Sequence, residues 1–352
     1  MGDYHRARWK ALSNLHESGK VYAADLGTAD HLYQWNNTPE GYVNYISFSN
    51  KPVRKWDTFN RIQNFIKTVK SYNIKVVCIP GYGRIEYLIF LILSKRLGLH
   101  VILFAESWYG SNIIFNNLKS AFLNIFCDKY LVSGIRAYNH FNKNLNIPNQ
   151  RIKTCYSVID NDHFCSKDNQ YYKMPVLLCV ARFSKEKNLK MLIKAFDKSE
   201  LSKSFLLKLI GGGSQQPELE ALAVGINVEL KNWMAYEKLP EVYQTASLFI
   251  LPSTFEPWGL VVNEAMAAGL PVIVSNQCGC APDLVDTENG FLFDAKDETT
   301  LVNVFNKIST MSFEQLHAMG EKSLSKIRKY SPRSWADQLF EFIKNEKDYK
   351  FS

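Results

Sequence analysis

Short apolar runs alternate with longer stretches of helical periodicity along the 352-residue chain. The apolar runs are continuous, which is typical of strands that are buried on both faces of a parallel sheet. The stretches between them, such as 57–72 and 86–97, predict helices. The pattern therefore indicates an α/β protein. The predicted strands are 20–25, 42–48, 75–79, 100–105, 129–133, 175–181, 205–210, 227–230, 247–251 and 271–275.

The strands fall into two groups, separated by a polar stretch near 161–174. Two such arrays in series predict two doubly wound, Rossmann-like domains. We expect an N-terminal domain over 1–165, a C-terminal domain over 166–330 and an amphipathic tail helix within 331–352. The chain opens with polar residues that lead into a helix, so the first strand of the N-terminal domain is expected to be missing or replaced.

Composition narrows the class of protein. The chain is 46% hydrophobic and 22% charged, as in ordinary globular proteins. Its longest aliphatic and aromatic run, 87–93, is far shorter than the roughly 20 residues of a spanning helix. We see no secretory signal, and the seven scattered cysteines form no CxxC pair. These features predict a cytoplasmic protein with reduced thiols.

Positive charge is concentrated in the first half. Residues 1–165 carry a net charge of +9, whereas the remainder carries −1, out of a total of +8. This asymmetry indicates either an anionic partner (a lipid headgroup, a polyanionic acceptor or nucleic acid) or only a solvated basic surface. Apolar stretches with lysines, at 87–96 and 113–126, favour either peripheral contact with a membrane or packing against the sheet.

Polar and glycine-rich segments follow the strands of the second half, at the sheet edge where α/β proteins bind ligands. Arg182 and Lys187 follow one strand, Gly211 opens a glycine run after the next, and Asn232 and Trp233 follow a third. Cationic, glycine-rich and acidic groups at one edge suit a ligand that has both phosphates and hydroxyls.

The most informative segment contains two glutamates eight positions apart, Glu256 and Glu264. A helix is predicted to begin near Gly259, so the amides of Gly259, Leu260 and Val261 would form an anion site at its N-terminus. The two carboxylates can accept hydrogen bonds from sugar and ribose hydroxyls.

This segment resembles the Glu-x7-Glu signature of the GT4 family of retaining glycosyltransferases, which have the GT-B fold. Arg182 with Lys187 resembles the diphosphate-binding pair of that family, and 209–220 resembles its glycine-rich loop and the helix that follows. The resemblance is specific over about 158–295 and mostly architectural over 1–157. It implies a cleft between the two domains, with the tail helix crossing back to the first.

The resemblance implies a role for each residue. Arg182 and Lys187 neutralise the leaving nucleotide diphosphate, Glu256 binds the donor sugar and Glu264 binds the ribose. The implied nucleotide contacts are Gly259, Leu260 and Val261 on the distal phosphate, Asn232 and Trp233 beside the base, Gly211 in the glycine-rich loop, and Gly2 near the phosphates. The implied donor is linked to UDP or GDP, and front-face transfer needs neither a metal nor a cofactor.

The first domain is expected to hold the acceptor. Glu106 follows the predicted strand 100–105 and is our candidate for an acceptor contact, with a helix cap or loop carboxylate as the alternative. Ser133 is a further candidate, and His5 is an alternative general base.

Two motifs resemble metal-binding sites, but neither is interpreted as one. Asp160-Asn161-Asp162 follows the strand-like run 155–159 and is interpreted as a turn, because Asp and Asn favour turns. Cys278 and Cys280 are too closely spaced for a zinc pair, and Cys280 replaces a glycine of the GT4 pattern.

With these features, the resemblance implies a cytoplasmic, metal-independent hexosyltransferase of polysaccharide biosynthesis. Its acceptor would be a hydroxyl of a glycan or a lipid-linked saccharide, with peripheral contact at the inner membrane face left open. Two alternatives remain: a catalytically silent GT-B subunit that binds nucleotide sugar, and a glycosyltransferase that acts on nucleic acid. An epimerase would need acid and base groups on both faces of the sugar, and no such set is found.

Overall fold

The computed structural model describes residues 3–15, 20–27, 44–53, 56–109, 112–165 and 175–344. The chain divides into two compact units, one of Met1–Val158 with Pro332–Ser352 and the other of Ile159–Ser331. The predicted boundary after residue 165 thus lies inside the second unit. Part of the predicted linker, 166–174, and Gly2 lie outside the described residues.

The described residues form twelve strands and fourteen α-helices. The strands are β1 Ala23–Asp25, β2 Tyr45–Ser47, β3 Val76–Pro80, β4 His100–Ala105, β5 Lys129–Val132, β6 Ile152–Lys153, β7 Val176–Val180, β8 Leu206–Ile210, β9 Val228–Lys231, β10 Leu248–Leu251, β11 Val272–Ser275 and β12 Gly290–Phe293. The helices are α1 Asp3–Ser13, α2 Thr58–Ser71, α3 Ile85–Arg96, α4 Ile113–Phe126, α5 Ile135–Asn139, α6 Asn161–Phe164, α7 Leu189–Asp197, α8 Gln216–Leu222, α9 Leu239–Gln244, α10 Leu260–Ala267, α11 Ala281–Leu284, α12 Glu298–Ser309, α13 Phe313–Ile327 and α14 Pro332–Lys344.

The first unit contains a four-stranded parallel sheet in the order β3-β4-β5-β6 and a separate parallel pair, β1-β2. Its core packs apolar side chains of the central strands against α2 and α3, where Phe65 and Phe90 stack with ring centroids 4.3 Å apart. Residues 3–13 form α1, and the first strand along the described chain is β1. The prediction of a strand-like run over 155–159 was wrong. The edge strand is Ile152–Lys153, and Cys155 has a positive φ of 86°, which interrupts the extended backbone.

The tail helix α14 groups with the first unit and packs against α1. Its buried face includes Trp335, Leu339 and Phe342. Trp335 makes an edge-on contact with Phe104 of β4, at a centroid distance of 5.9 Å. The helical spacing of apolar residues in the tail is thus explained by this packing.

The second unit is a six-stranded parallel sheet in the order β12-β11-β10-β7-β8-β9. Numbered from β7, this is the order 3-2-1-4-5-6 of a doubly wound fold, in which ligands bind where the order reverses. That switch point lies between β7 and β10. The sequence missed β12 because this edge strand begins at a glycine and exposes Leu292, so it lacks a continuous apolar run.

Within the residues that the structure describes, no helix is both long and apolar enough to cross a membrane.

Candidate functional site

The loops that follow β7 and β10 lie side by side at the switch point. Lys187, from the first loop, forms an ion pair with Glu256 of the second. Both side chains are largely buried, with 13% and 14% of their surfaces exposed. The structure therefore brings together two of the predicted site residues, which are far apart in the sequence, in a setting where Coulomb interactions are stronger than in water.

Further hydrogen bonds fix the geometry of these two loops. The backbone N–H of Thr254 donates to the Glu186 carbonyl at 2.8 Å, and Ser184 Oγ donates to a Glu186 carboxylate oxygen at 2.7 Å. The Ser184 hydrogen bond is the main reason that the pKa of Glu186 is lowered. Arg182 Nη2 lies 3.5 Å from the same carboxylate, while its side chain is 52% exposed. A guanidinium held loosely in this way can turn to a bound anion.

Helix α10 begins beside this ion pair. Gly259 precedes it with φ of +103°, a conformation that side chains disfavour. The N–H of Val262 donates to the Gly259 carbonyl at 2.9 Å, but in the described part of the chain no backbone oxygen accepts from the N–H groups of Gly259, Leu260 and Val261. These three amides and the helix dipole form a positive end, as an anion site requires.

The loop after β11 supports the start of α10 from behind. The N–H of Gly279 donates to the Glu256 carbonyl at 2.9 Å, and that of Cys280 donates to the Trp258 carbonyl at 3.0 Å. Trp258 is buried, and its indole N–H donates to Asn263 Oδ1 at 2.9 Å. Trp258 is therefore a packing residue that anchors the helix.

The two motifs that resemble metal sites, Cys278 with Cys280 and the segment 160–162, are explained by burial and by hydrogen bonds within the fold. Cys278 and Cys280 are buried, and burial raises the pKa of Cys280 well above its usual value. Asp160 precedes the one-turn helix α6, where the Asn161 side chain donates to the Ile327 carbonyl at 3.1 Å. Among the residues of known position, no three His, Cys, Asp or Glu side chains are grouped as metal ligands.

Glu264 lies inside α10 and is fully buried. The hydroxyl of Tyr243, on α9, donates to Glu264 Oε2 at 2.6 Å. Binding to a ribose by Glu264 stays a prediction, and it requires this enclosed carboxylate to become accessible. The sequence offered no signal for Tyr243, because the contact joins two helices from different parts of the chain.

The glycine-rich loop and Trp233 are neighbours at the β8 and β9 end of the edge. The Gly212 carbonyl accepts from the Phe183 N–H at 2.9 Å, which ties this loop to the one after β7. A Cβ on Gly212 would lie 3.3 Å from the Trp233 ring, so the indole sits against the glycine backbone. Trp233 is half exposed, and Asn232 beside it is also exposed. Gly211 has no room for a side chain, because a Cβ on it would be 1.9 Å from the Ala181 carbonyl oxygen.

In the first unit, Glu106 directly follows β4. Its Oε1 accepts from the hydroxyl of Ser157 at 2.8 Å, and that hydroxyl lies 2.8 Å from the Ser133 hydroxyl. Glu106 therefore accepts a hydrogen bond from Ser157 that orients its carboxylate. The structure does not test its role in acceptor binding, and Gly2 lies outside the described residues.

Gly259→Ala is expected to lower the free energy of unfolding by about 1–3 kcal/mol, the usual cost of a strained backbone position. Its new Cβ would also lie 2.8 Å from Leu251 Cδ2. Gly225→Ala is the matched control, because Gly225 has φ of +78° but open space around its missing Cβ. Chemical denaturation measures both. Equal losses in the two variants would show that the close packing at Gly259 is unimportant.

Comparisons with known proteins agree with this architecture. Residues 162–326 match the family described as Glycosyl transferases group 1. The sulfoquinovosyl transferase of Arabidopsis thaliana is 30% identical over 46% of this chain and 31% of its own. The N-acetyl-alpha-D-glucosaminyl L-malate synthase of Bacillus anthracis is 26% identical over 51% of this chain and 50% of its own. The chain thus spans a third to a half of these curated relatives.

Two solved structures show the same fold over most of the chain. Sucrose-phosphate synthase from Thermosynechococcus elongatus has a TM-score of 0.76 at 18% identity, covering 97% of this chain and 92% of its own. HepE from Anabaena, solved with UDP-glucose, has a TM-score of 0.69 at 17% identity, covering 86% of each chain. The predicted α/β architecture of GT-B type is therefore confirmed.

Proposed function

We propose that the protein is a retaining glycosyltransferase that uses a nucleotide-diphosphate sugar, and the match of residues 162–326 to the family Glycosyl transferases group 1 supports this proposal. One observation carries this proposal: the Lys187–Glu256 pair lies beside the N-terminus of α10 at the switch point of the sheet. The Lys187 cation and the amides at the start of α10 match the negative charges of such a donor, and the Glu256 carboxylate matches its hydroxyls.

In the proposed reaction, the amides of Gly259, Leu260 and Val261 hold the diphosphate. Arg182 and Lys187 stabilise its charge as the bond between the sugar C1 and the phosphate oxygen breaks. The acceptor oxygen bonds to C1 on the same face, and its proton passes to the departing phosphate. Glu256 holds the sugar hydroxyls. Because the acceptor oxygen bonds directly to C1, no protein nucleophile is needed. Fixed positive groups supply the electrostatic stabilisation that a metal would otherwise provide, so we propose a metal-independent reaction.

The donor is proposed to be linked to UDP, with GDP as the alternative. The support comes from HepE, which was solved in complex with UDP, with UDP and glucose, and with UDP-glucose. We propose that Trp233 and Asn232 border the base. The support is that both are exposed and that the Trp233 ring lies against Gly212 of the glycine-rich loop.

Nucleotide binding tests this proposal directly. UDP or GDP at a hundred times its Kd should stabilise the fold by about 2.7 kcal/mol. In a thermal-shift assay this corresponds to roughly 4 °C in Tm for a chain of 352 residues that unfolds as one unit. AMP and CMP serve as controls. If no nucleoside diphosphate raises Tm more than these monophosphates do, the proposed donor site is wrong.

Turnover separates an enzyme from the silent GT-B subunit. A transferase should release UDP or GDP from its sugar donor when a suitable glycan or lipid-linked saccharide is added, and a silent subunit should only bind. We propose an acceptor of this class, contacted by Glu106, and a role in polysaccharide biosynthesis in the cytoplasm.

We also propose that α4 contacts the inner face of a membrane. Four apolar side chains of α4 project into solvent, with exposed fractions of 63–68%: Ile114, Phe115, Leu118 and Ile125. Three of them recur four and seven positions apart and so share one face of the helix. The half of the chain that contains α4 is also basic, which suits anionic lipid.

Leu118→Glu should weaken co-sedimentation with vesicles of 30% anionic phospholipid by about tenfold, because it places a carboxylate on the apolar face. Val224→Glu is the matched control, since Val224 is 80% exposed in the other unit. Equal vesicle binding by both variants and the unmodified chain would contradict membrane contact through α4.

A further inference from the structure

The first unit contains a shallow cavity, largely open to the surface, whose lining residues the proposed reaction does not use. It has a volume of about 330 Å³. Its lining is Trp108, Arg136, Asn139, His140, Lys143 and Asn144. Most of the lining lies on one face of α5 and of the turn that follows it. Arg136, His140 and Asn144 are spaced four residues apart, and Asn139 and Lys143 each lie three residues after one of them.

His140 is the unusual member of this lining. Its side chain is buried, with 3% of the residue exposed, yet neither ring nitrogen has a hydrogen-bond partner among the described residues. Buried polar groups are nearly always paired, so an orphaned imidazole in a cavity wall needs an explanation. His140 also begins a π-helical turn, His140–Asn144, a rare conformation that is frequent at functional sites.

The charges of the lining are all positive or neutral. Arg136 and Lys143 are the charged members, and no Asp or Glu among the described residues lines the cavity. The guanidinium of Arg136 lies over the Trp108 ring, 4.8 Å from its centroid, which limits its orientations. Burial, and then the nearby charge of Lys119, lower the pKa of His140. The surroundings of the imidazole are therefore electropositive, and they favour an anion.

The site lies at the edge of the sheet where Glu106 is found. Trp108 is two residues beyond Glu106, in the segment after β4, and α5 follows β5. Both strands run parallel, so their carboxyl ends meet at one edge. The cavity thus neighbours the carboxylate proposed to contact the acceptor.

We infer that this cavity binds an anionic group, a phosphomonoester or a carboxylate, on the acceptor. Arg136 and Lys143 pair with its charge. His140 donates a hydrogen bond from one ring nitrogen, which must first turn toward the opening because both ring nitrogens are buried. This inference rests on the proposed function, because it assigns the ligand as acceptor. It narrows the acceptor class to molecules with a negative charge next to the receiving hydroxyl.

The test uses the full chain, labelled with 13C at its histidine rings, in the presence of excess UDP so that phosphate sites for the donor are filled. The Hε1 signal of His140 is assigned by its loss in His140→Gln. Glucose 6-phosphate probes for a phosphomonoester, malate for a carboxylate, and glucose is the neutral control. We expect a saturable shift of the His140 signal with at least one of the two anions and none with glucose.

Arg136→Met and Lys143→Met should each weaken this binding by about tenfold, as for the loss of one charge-assisted hydrogen bond. Lys70→Met, an exposed lysine on α2 of the same unit, should leave it unchanged. An unmoved His140 signal with both anions, or equal weakening in all three variants, would overturn the inference. If the His140 signal responds while UDP fails to bind, the cavity is an anion site and the proposed transferase function is what fails.

Discussion

Lys187→Met is expected to lower kcat for sugar transfer by about 10²–10³-fold, comparable to the loss of one preorganised group that stabilises developing charge. Lys187 is largely buried and lies at the switch point, where the diphosphate is proposed to leave. Its ammonium acts on charge that grows as the sugar departs, so kcat should fall more than donor affinity. Steady-state kinetics with the donor varied measures both.

Lys185→Met is the control for this experiment, because Lys185 is an exposed lysine in the same short turn. It should retain kcat within about twofold, as expected for a surface substitution. Loss of Lys187 also removes its ion pair with Glu256. Tm is therefore compared between Lys187→Met and the double variant that also carries Glu256→Gln. A folded Lys187→Met protein with unchanged kcat would remove Lys187 from the mechanism.

Glu256→Gln is expected to lower kcat/KM by about 10²-fold or more, while the Kd for UDP changes by less than about threefold. The reason is that Glu256 is proposed to hold the hydroxyls of the transferred sugar, and UDP lacks that sugar. Interactions realised in the transition state affect kcat/KM even where product binding is unchanged. The amide substitution preserves the volume of the side chain and avoids a cavity next to Lys187.

Glu237→Gln provides the matched control, since Glu237 is exposed in the turn before α9. Both variants are assayed for transfer with UDP-sugar and for UDP binding by calorimetry. If Glu256→Gln transfers sugar as fast as Glu237→Gln, then the assignment of Glu256 to the donor sugar is wrong.

The loops of the second unit could be predicted from sequence because their strands are unambiguous. Continuous apolar runs at 175–181 and 247–251 identify buried parallel strands, and whatever follows them must lie at the ligand-binding edge. Arg182 and Glu256 are both brought to the switch point by this topology, without any knowledge of side-chain positions.

Pairwise contacts were not predictable in the same way. The ion pair of Lys187 with Glu256 joins residues 69 positions apart, and Tyr243 encloses Glu264 from another helix. Such contacts depend on rotamers and on how helices pack. The orphaned ring of His140 was equally invisible, because a lone histidine in a helical stretch gives no indication of its burial or of its partners.

The central claim is that a diphosphate binds the free amides at the start of α10, with Arg182 and Lys187 as its cationic partners. A crystal structure of the chain with UDP tests it most directly. We expect phosphate oxygens at hydrogen-bond distance, about 3 Å, from the amide nitrogens of Gly259, Leu260 or Val261. Bound UDP whose phosphates lie elsewhere, with these amides covered by side chains, would contradict it.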